Sequence, residues 1–217
     1  MTKQETAKRY LLFIISLFFS GIGVAFTKHG ELGVSPISSV ANVMNYKVPA
    51  ISLGTWLIIW NCVLILGQII LLRKNFQLIQ LLQIPVSFLF GWFTDLGMRI
   101  VSRIPADRYP QSIAMVLIGI VILGFGIGLS VIANVIMNSG EAFVKAIADT
   151  IDKNFGNVKV CFDVTCVVLS IILSLLLFNM KIVGTREGTI LSAVFTGFAV
   201  KFFTGRLKEP IEAILKA

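Results

Sequence analysis

Long uncharged stretches alternate with short charged segments along the whole chain. Charge near the centre of a bilayer costs several kcal/mol, so uncharged stretches mark where membrane-spanning helices lie. They cover residues 10–27, 48–72, 75–94, 109–140, 164–180 and 188–200. A spanning helix needs about 20 residues. The first four stretches are long enough to span the membrane. The fifth is long enough if its helix starts near Lys159, and the sixth if its helix continues through Lys201 to Phe203. The pattern predicts six transmembrane helices.

Two of the connections between spans are long enough to hold helices of their own. Residues 35–44 follow the first span, with Ser35 at the N-cap and Pro36 at the first helical position, which proline favours. Residues 139–152 follow the fourth span and begin with Ser139, the expected cap of that helix. We therefore expect one short interfacial or re-entrant helix in each half of the chain.

Composition agrees with a membrane protein. The 217 residues are 56% hydrophobic and only 14% charged, and the mean hydropathy is +0.90. Soluble domains carry about 25% charged residues, so this composition does not supply a water-facing surface. It also excludes intrinsic disorder, a collagen-like fibre and a disulfide scaffold. The predicted fold class is an all-α membrane protein.

The charged residues predict how the chain is oriented. The formal net charge is +8, and its placement in the loops explains it, so no nucleic acid partner is expected. On a six-span topology, 11 of the 19 Lys and Arg residues fall on the N-terminal side and 7 on the other, with Lys201 inside the last span. Because cytoplasmic loops carry the excess of Lys and Arg, both termini are expected in the cytoplasm.

The two halves of the chain resemble each other. Gly21-Ile22-Gly23 matches Gly126-Ile127-Gly128 at an offset of 105, and the same offset places Ser35-Pro36 on Gly140-Glu141. With one residue of slip, Gly91 matches Gly197 and Asp95 matches Lys201. The halves, 1–104 and 105–217, would each hold three spans and a short helix. An odd number of spans makes the second half enter the membrane in the opposite direction, which predicts an inverted repeat.

Inverted repeats are frequent in secondary transporters, where the two halves rock about a site between them. The sequence therefore favours a small-molecule secondary transporter that works by alternating access, with a homodimer as the expected assembly because six short helices enclose little cavity. A substrate-binding membrane subunit of an ATP-driven importer is one alternative. A non-transporting accessory protein of the membrane is another, since a duplicated bundle does not have to transport.

Several glycine motifs resemble a known family. The motifs are Gly21-Ile-Gly-Val-Ala-Phe26, Gly30-x-x-Gly33-x-Ser35-Pro36 and Gly184-Thr-x-x-Gly-Thr-Ile190 before a glycine-bearing last span. They resemble the YczE/YyaS/YitT group of bacterial integral membrane proteins over most of the chain. The resemblance implies a bacterial inner-membrane location and small-molecule transport or export, and it supplies no substrate or catalytic residues.

Asp95 and Lys201 are the ionisable residues set furthest into apolar spans, and such residues are functional candidates because their burial is costly. Each lies about five residues past the centre of its span, so inversion would separate them by about 15 Å along the membrane normal. We expect Asp95 to line the outer vestibule and Lys201 the inner one. Alternatively, Lys201 reaches the cytoplasmic headgroups and Asp95 pairs with Arg99, one helical turn further on.

The short helices supply the other substrate-binding candidates. A helix N-terminus presents free N–H groups and a partial positive charge, which suits an anionic substrate group. The first short helix carries hydroxyl and amide side chains. The second carries charged side chains along one face, and these either bind substrate or protons or face water. The candidates are Ser35, Pro36, Ser38, Ser39 and Asn42 in the first half and Glu141, Lys145 and Asp149 in the second.

No enzyme signature is present in the sequence. The chain lacks a phosphate-binding Gly-x-x-x-x-Gly-Lys-Ser/Thr loop, a His-Glu-x-x-His motif and a Gly-x-Ser-x-Gly motif. The single histidine, His29, has no neighbouring partners for a metal, and three cysteines show no Cys-x-x-Cys spacing. We therefore expect no catalytic residues, metal or cofactor.

Overall fold

The computed structural model describes residues 2–216, and over that range the chain forms α-helices and short 3₁₀ helices without a strand. Six helices are long and apolar enough to cross a membrane, which confirms the predicted number. The α-helices are α1 (Lys3–His29), α2 (Pro36–Lys47), α3 (Leu53–Leu72), α4 (Gln83–Val101), α5 (Tyr109–Ala133), α6 (Ser139–Thr150), α7 (Phe155–Leu177) and α8 (Glu187–Lys216). The 3₁₀ helices Arg73–Asn75 and Leu78–Leu82 join α3 to α4.

Several helices extend beyond the uncharged stretches. The first stretch begins at residue 10, but α1 begins at Lys3 because the Thr2 hydroxyl caps it, accepting from the Glu5 N–H at 3.1 Å. Arg9 lies inside α1 and is buried, paired with Glu5 and donating to the carbonyls of Ile132 and Ala133. Uncharged stretches therefore locate the membrane, whereas the capping side chain of Thr2 decides where α1 begins.

The short helices lie close to their predicted positions, but one predicted cap is wrong. Asn138 caps α6, with its Oδ1 accepting from the Ser139 N–H at 2.8 Å. Ser139 is instead the first helical residue, because only the preceding residue has the extended backbone that lets a side chain reach the free N–H groups. Ser35 is the N-cap residue of α2, but its hydroxyl donates to the Ser38 Oγ rather than accepting from a backbone N–H.

The centre of the bundle is the antiparallel pair α1 and α5. Glycines let the two backbones touch: a Cβ on Gly23 would lie 2.5 Å from the Leu123 nitrogen, and a Cβ on Gly119 would lie 2.7 Å from the Thr27 nitrogen. Helix α4 packs on α1 and α8 packs on α5, while α3 packs on α4. The short helix α2 contacts α3 and α7, and the short helix α6 contacts the same two helices.

The bundle has two ends. The near end carries the start of α1, where Arg9 reaches the end of α5, and the start of α6, where Ser139 contacts α3. The far end carries α2 and the residues before α8, where Asn42 donates to the Gly184 carbonyl and Lys47 to the Leu177 carbonyl.

Candidate functional site

Two of the glycine motifs meet at the far end, although they lie in different halves of the sequence. The Gly188 N–H donates to the Leu32 carbonyl at 2.8 Å. Gly33 and Gly184 have φ angles of 113° and 80°, which favour glycine. A side chain on Gly33 would also collide with Thr189 of α8. The glycines therefore close the far end by bringing the start of α8 onto the loop between α1 and α2.

The predicted residues of α2 contribute to this closed junction. The Asn42 Nδ2 donates to the Gly184 carbonyl at 2.6 Å, and its buried Oδ1 has no hydrogen-bond partner among residues 2–216. The Ser39 Oγ donates to the Pro36 carbonyl at 2.6 Å and lies 3.3 Å from the Cys166 carbonyl on α7. Ser38 is buried and accepts from Ser35. These polar groups fasten α2 to α7 and to the residues before α8.

Lys28, at the end of α1, is a buried lysine that was not predicted as a site residue from the sequence. It is 9% exposed, and its Nζ lies 3.2 Å from the centre of the Tyr46 ring, as in a cation–π pair. Burial, with help from Glu31, raises the pKa of Tyr46 to about 12, so this ring stays neutral. Lys28 directly follows the uncharged stretch 10–27, so the sequence places it at the end of a span, and only the folded chain shows that Tyr46 of α2 lies next to it.

A buried network of polar side chains joins three helices at the near end. Gln68 of α3 and Gln83 of α4 are 0% and 2% exposed, and each amide donates to the other's carbonyl oxygen at 3.0 Å. The Gln68 Nε2 also donates to the Ser139 carbonyl at 3.2 Å. The hydroxyls of Ser87 and Ser139 lie 3.1 Å apart. This network was not predicted from the sequence, because glutamines carry no charge and do not interrupt the uncharged stretches.

A cavity of about 790 Å³ opens beside this network at the near end. Two of the predicted site residues, Lys145 and Asp149, line it and are exposed. The remaining lining comes from the end of α3, the 3₁₀ segment, Gln83, residues 135–137 and other residues of α6. A second cavity of about 360 Å³ lies between Arg9, Asn134, Lys208 and Glu212, also at the near end.

Glu141, in the first turn of α6, lies beside α7. Burial raises the pKa of its carboxyl, and the charge of Lys159 partly offsets this rise. A raised pKa in the folded protein means that the contribution of this group to stability is full below the ordinary value of 4.5 and is lost as pH rises through the folded-state pKa.

We therefore expect Glu141→Gln to become progressively more stable than the unsubstituted protein as pH rises above 4.5. Each pH unit between the two pKa values changes the difference by about 1.4 kcal/mol. Thermal unfolding at a series of pH values measures this, with Asp149→Asn as the exposed carboxylate control on the same helix. A difference in melting temperature that does not vary with pH would contradict the expectation.

Asp95 lies against the N-terminus of α3. Its Oδ2 accepts from the Ser52 hydroxyl at 2.6 Å, and its Oδ1 accepts from the Gly54 N–H at 2.8 Å. Within residues 2–216 no ion pair joins Asp95 to Arg99, so the local pairing considered from the sequence is wrong. The N–H groups at a helix start are better partners for a half-buried carboxylate than an exposed guanidinium. Lys201 is exposed on α8.

Residues 7–205 match a sequence family described as a family of unknown function, DUF6198. The chain is 27% identical over 203 residues to the uncharacterized membrane protein YczE of Bacillus subtilis (strain 168), an alignment that covers 92% of this chain and 87% of the relative. The predicted resemblance to the YczE/YyaS/YitT group is therefore confirmed. No solved structure matches the chain. The six apolar helices and this relative identify an integral membrane protein of the lipid bilayer. The chain belongs to the DUF6198 family.

Proposed function

We propose that the protein is a small-molecule secondary transporter of the bacterial cytoplasmic membrane, with both termini in the cytoplasm. It works by alternating access between two inverted halves, residues 1–104 and 105–217. The near end of the bundle then faces the cytoplasm, because it lies on the side that carries 11 of the 19 Lys and Arg residues.

The observation that carries this proposal is that helix contacts recur when the halves are exchanged, that is, when α1 to α4 of the first half are replaced by α5 to α8 of the second, and the reverse. Helix α1 packs on α4 as α5 packs on α8, and α2 contacts α3 and α7 as α6 contacts α7 and α3. Each half holds three spanning helices, so equivalent helices run in opposite directions. Such pairing across two oppositely directed halves supports the inverted repeat on which many secondary transporters are built.

One hydrogen-bonded polar pair in each half supports the same proposal. Gln68 and Gln83 are 15 residues apart and hydrogen-bonded, and Ser170 and Thr185 are also 15 residues apart, with hydroxyls 2.9 Å from each other. The first pair ties the end of α3 to the start of α4 at the near end. The second ties α7 to Thr185, two residues before the start of α8, at the far end.

The near-end cavity supplies a path for the substrate. Its volume of about 790 Å³ lies within the usual range for small-molecule sites of about 300–1,000 Å³. Lys145 and Asp149 place both signs of charge on its wall, beside the amide of Gln83. The far-end junction is closed over Lys28 and Asn42, so the arrangement corresponds to a transporter open to the cytoplasm.

A thermal-shift screen of the purified protein against amino acids, other metabolites and organic ions would test this function. A bound ligand stabilises the folded state by about 2.7 kcal/mol at a hundredfold excess over its dissociation constant. A ligand found in this way should cross proteoliposome membranes that contain the protein. Lys145→Ala and Asp149→Ala should weaken both effects, whereas Lys153→Ala, an exposed lysine outside the cavity, should not.

Binding without flux would identify a substrate-binding subunit, and copurification with an ATPase would connect it to an importer. No stabilisation by any ligand, in a folded sample, would favour an accessory protein instead. Labelling of single cysteines at the exposed positions Lys47 and Lys145 from the same side of the membrane would refute the inverted arrangement.

A further inference from the structure

The exchange of halves fails most clearly for one pair of helices. Helix α3 packs closely on α4, but the equivalent helices α7 and α8 are not packed along their length. Three other kinds of helix contact recur in both halves, and α8 makes smaller contacts with α1 and α2 that have no comparable counterpart in the other half. The largest difference between the halves therefore lies at the pairs α3–α4 and α7–α8.

In the first half, the contact depends on two glycines and one carboxylate. The backbones of Gly54 and Gly91 touch, since a Cβ on Gly91 would lie 2.6 Å from the Gly54 carbonyl oxygen. Asp95, one turn beyond Gly91, accepts hydrogen bonds from Ser52 and from Gly54 at the start of α3. The carboxylate thus holds α4 against the positive end of the α3 dipole.

The second half has equivalent positions for both glycines. Gly54 lies two residues after the N-cap Ser52 of α3, and Gly156 lies two residues after the N-cap Asn154 of α7. Gly197 is the repeat partner of Gly91. A Cβ on Gly197 would meet no atom within 4 Å, and a Cβ on Gly156 would meet only the side chain of Asn154.

The packing of the last helices agrees with this register to within two residues. A Cβ on Gly97 of α4 would meet Ala25 of α1, and Phe203, which lies 106 residues after Gly97, is the residue that a Cβ on Gly128 of α5 would meet. The same 106-residue offset relates Gly91 to Gly197 and Asp95 to Lys201.

We propose that the α3–α4 contact is the far-side gate of the transporter, closed in this structure, and that α7 and α8 form the near-side gate, open in this structure. In the opposite state, Gly156 packs on Gly197 while Asp95 releases Ser52 and Gly54. This inference rests on the proposed function. The cavities at the near end agree with it, because both lie on the side where α7 begins.

Charge explains which gate is closed. Asp95 accepts hydrogen bonds from the N–H and hydroxyl groups at the start of α3, whereas an ammonium accepts none. Lys201, at the equivalent position, would also be repelled by the positive end of α7. The chain therefore rests with its far gate closed and its near gate open.

Cross-linking of Gly156→Cys with Gly197→Cys tests the gates without a substrate. The protein would lack Cys62, Cys161 and Cys166, and oxidation with copper phenanthroline would be followed in native membranes. We expect little cross-linking in this background. It should rise severalfold with Asp95→Asn, which weakens the closed gate, and with Lys201→Asp, which supplies a carboxylate to the open one.

Gly205 provides the matched control on α8. A Cβ there also meets no atom within 4 Å, but its repeat partner is Arg99, an exposed residue of α4. Cross-linking of Gly156→Cys with Gly205→Cys should stay low in every background.

Unchanged Gly156–Gly197 cross-linking in both charge variants, or an equal rise in the Gly205 control, would overturn the proposed gates. If Asp95→Asn does not fold, the cross-linking yield of Lys201→Asp alone tests the gates. Lys201 is exposed, so its substitution should leave folding unchanged. If Gly156–Gly197 cross-linking rises but no substrate crosses the membrane, the proposed transport is wrong and the change of contact between α7 and α8 stands. If a substrate crosses the membrane but this cross-linking does not rise, the protein is a transporter and the proposed gates are wrong.

Discussion

Replacing Gly23 with alanine should destabilise the folded protein by about 3 kcal/mol, because overpacking of a tight contact costs about 1–3 kcal/mol and occasionally more. The added Cβ would lie 2.5 Å from the nitrogen and 2.7 Å from the Cα of Leu123. Both atoms belong to the backbone, so no side chain can move aside, and α1 has to separate from α5. The central pair of the bundle would then lose its close packing along its length.

Thermal unfolding in one detergent measures this effect, with Gly197→Ala as the matched control. A Cβ on Gly197 meets no atom within 4 Å. The control should be neutral or more stable by about 0.5–1 kcal/mol, since alanine loses less backbone entropy than glycine in a helix. Equal melting temperatures for the two variants would show that α1 and α5 do not touch at Gly23.

Replacing Gln83 with methionine should destabilise the protein by about 2 kcal/mol, because it leaves the buried amide of Gln68 without one donor and one acceptor. The two amides are almost fully buried and bond each other at 3.0 Å in both directions. Methionine keeps the length of the side chain, so lost hydrogen bonding rather than a cavity accounts for the change.

The double variant Gln68→Met with Gln83→Met should recover most of the lost stability, because replacing both partners removes the unsatisfied groups. Exposed Gln77 provides the control, and Gln77→Met should change the melting temperature little. Additive losses in the double variant would show that the two amides act independently, which would contradict the paired geometry.

The positions of the six spans could be predicted from the sequence, but their lengths could not. Charged residues were expected to end the helices, yet α1 includes Lys3 and Arg9, and α8 continues to Lys216. A charge is costly only within the apolar part of the bilayer. Beyond that depth, caps such as Thr2 and partners such as Glu5 allow a helix to continue into water.

The candidate site was predicted only in part. Asp95 was singled out because a charge inside an apolar span is conspicuous, but its partners lie on another helix, at Ser52 and Gly54. Gln68 and Gln83 were missed, since an uncharged amide scarcely alters the hydropathy of a span. Their pairing becomes visible only when α3 and α4 are placed side by side.

The membrane environment, the number of spans and the order of helices in each half follow from the amino-acid sequence alone. A bilayer is a layered solvent, so the cost of each residue depends mainly on depth and can be read along one dimension. The contact of Gly54 with Gly91, and the open space beside Gly197, become visible only in the folded chain. Contacts between helices depend on how closely two backbones approach each other at the same depth in the membrane. The sequence does not distinguish a glycine that packs against a neighbouring helix from one that faces open space.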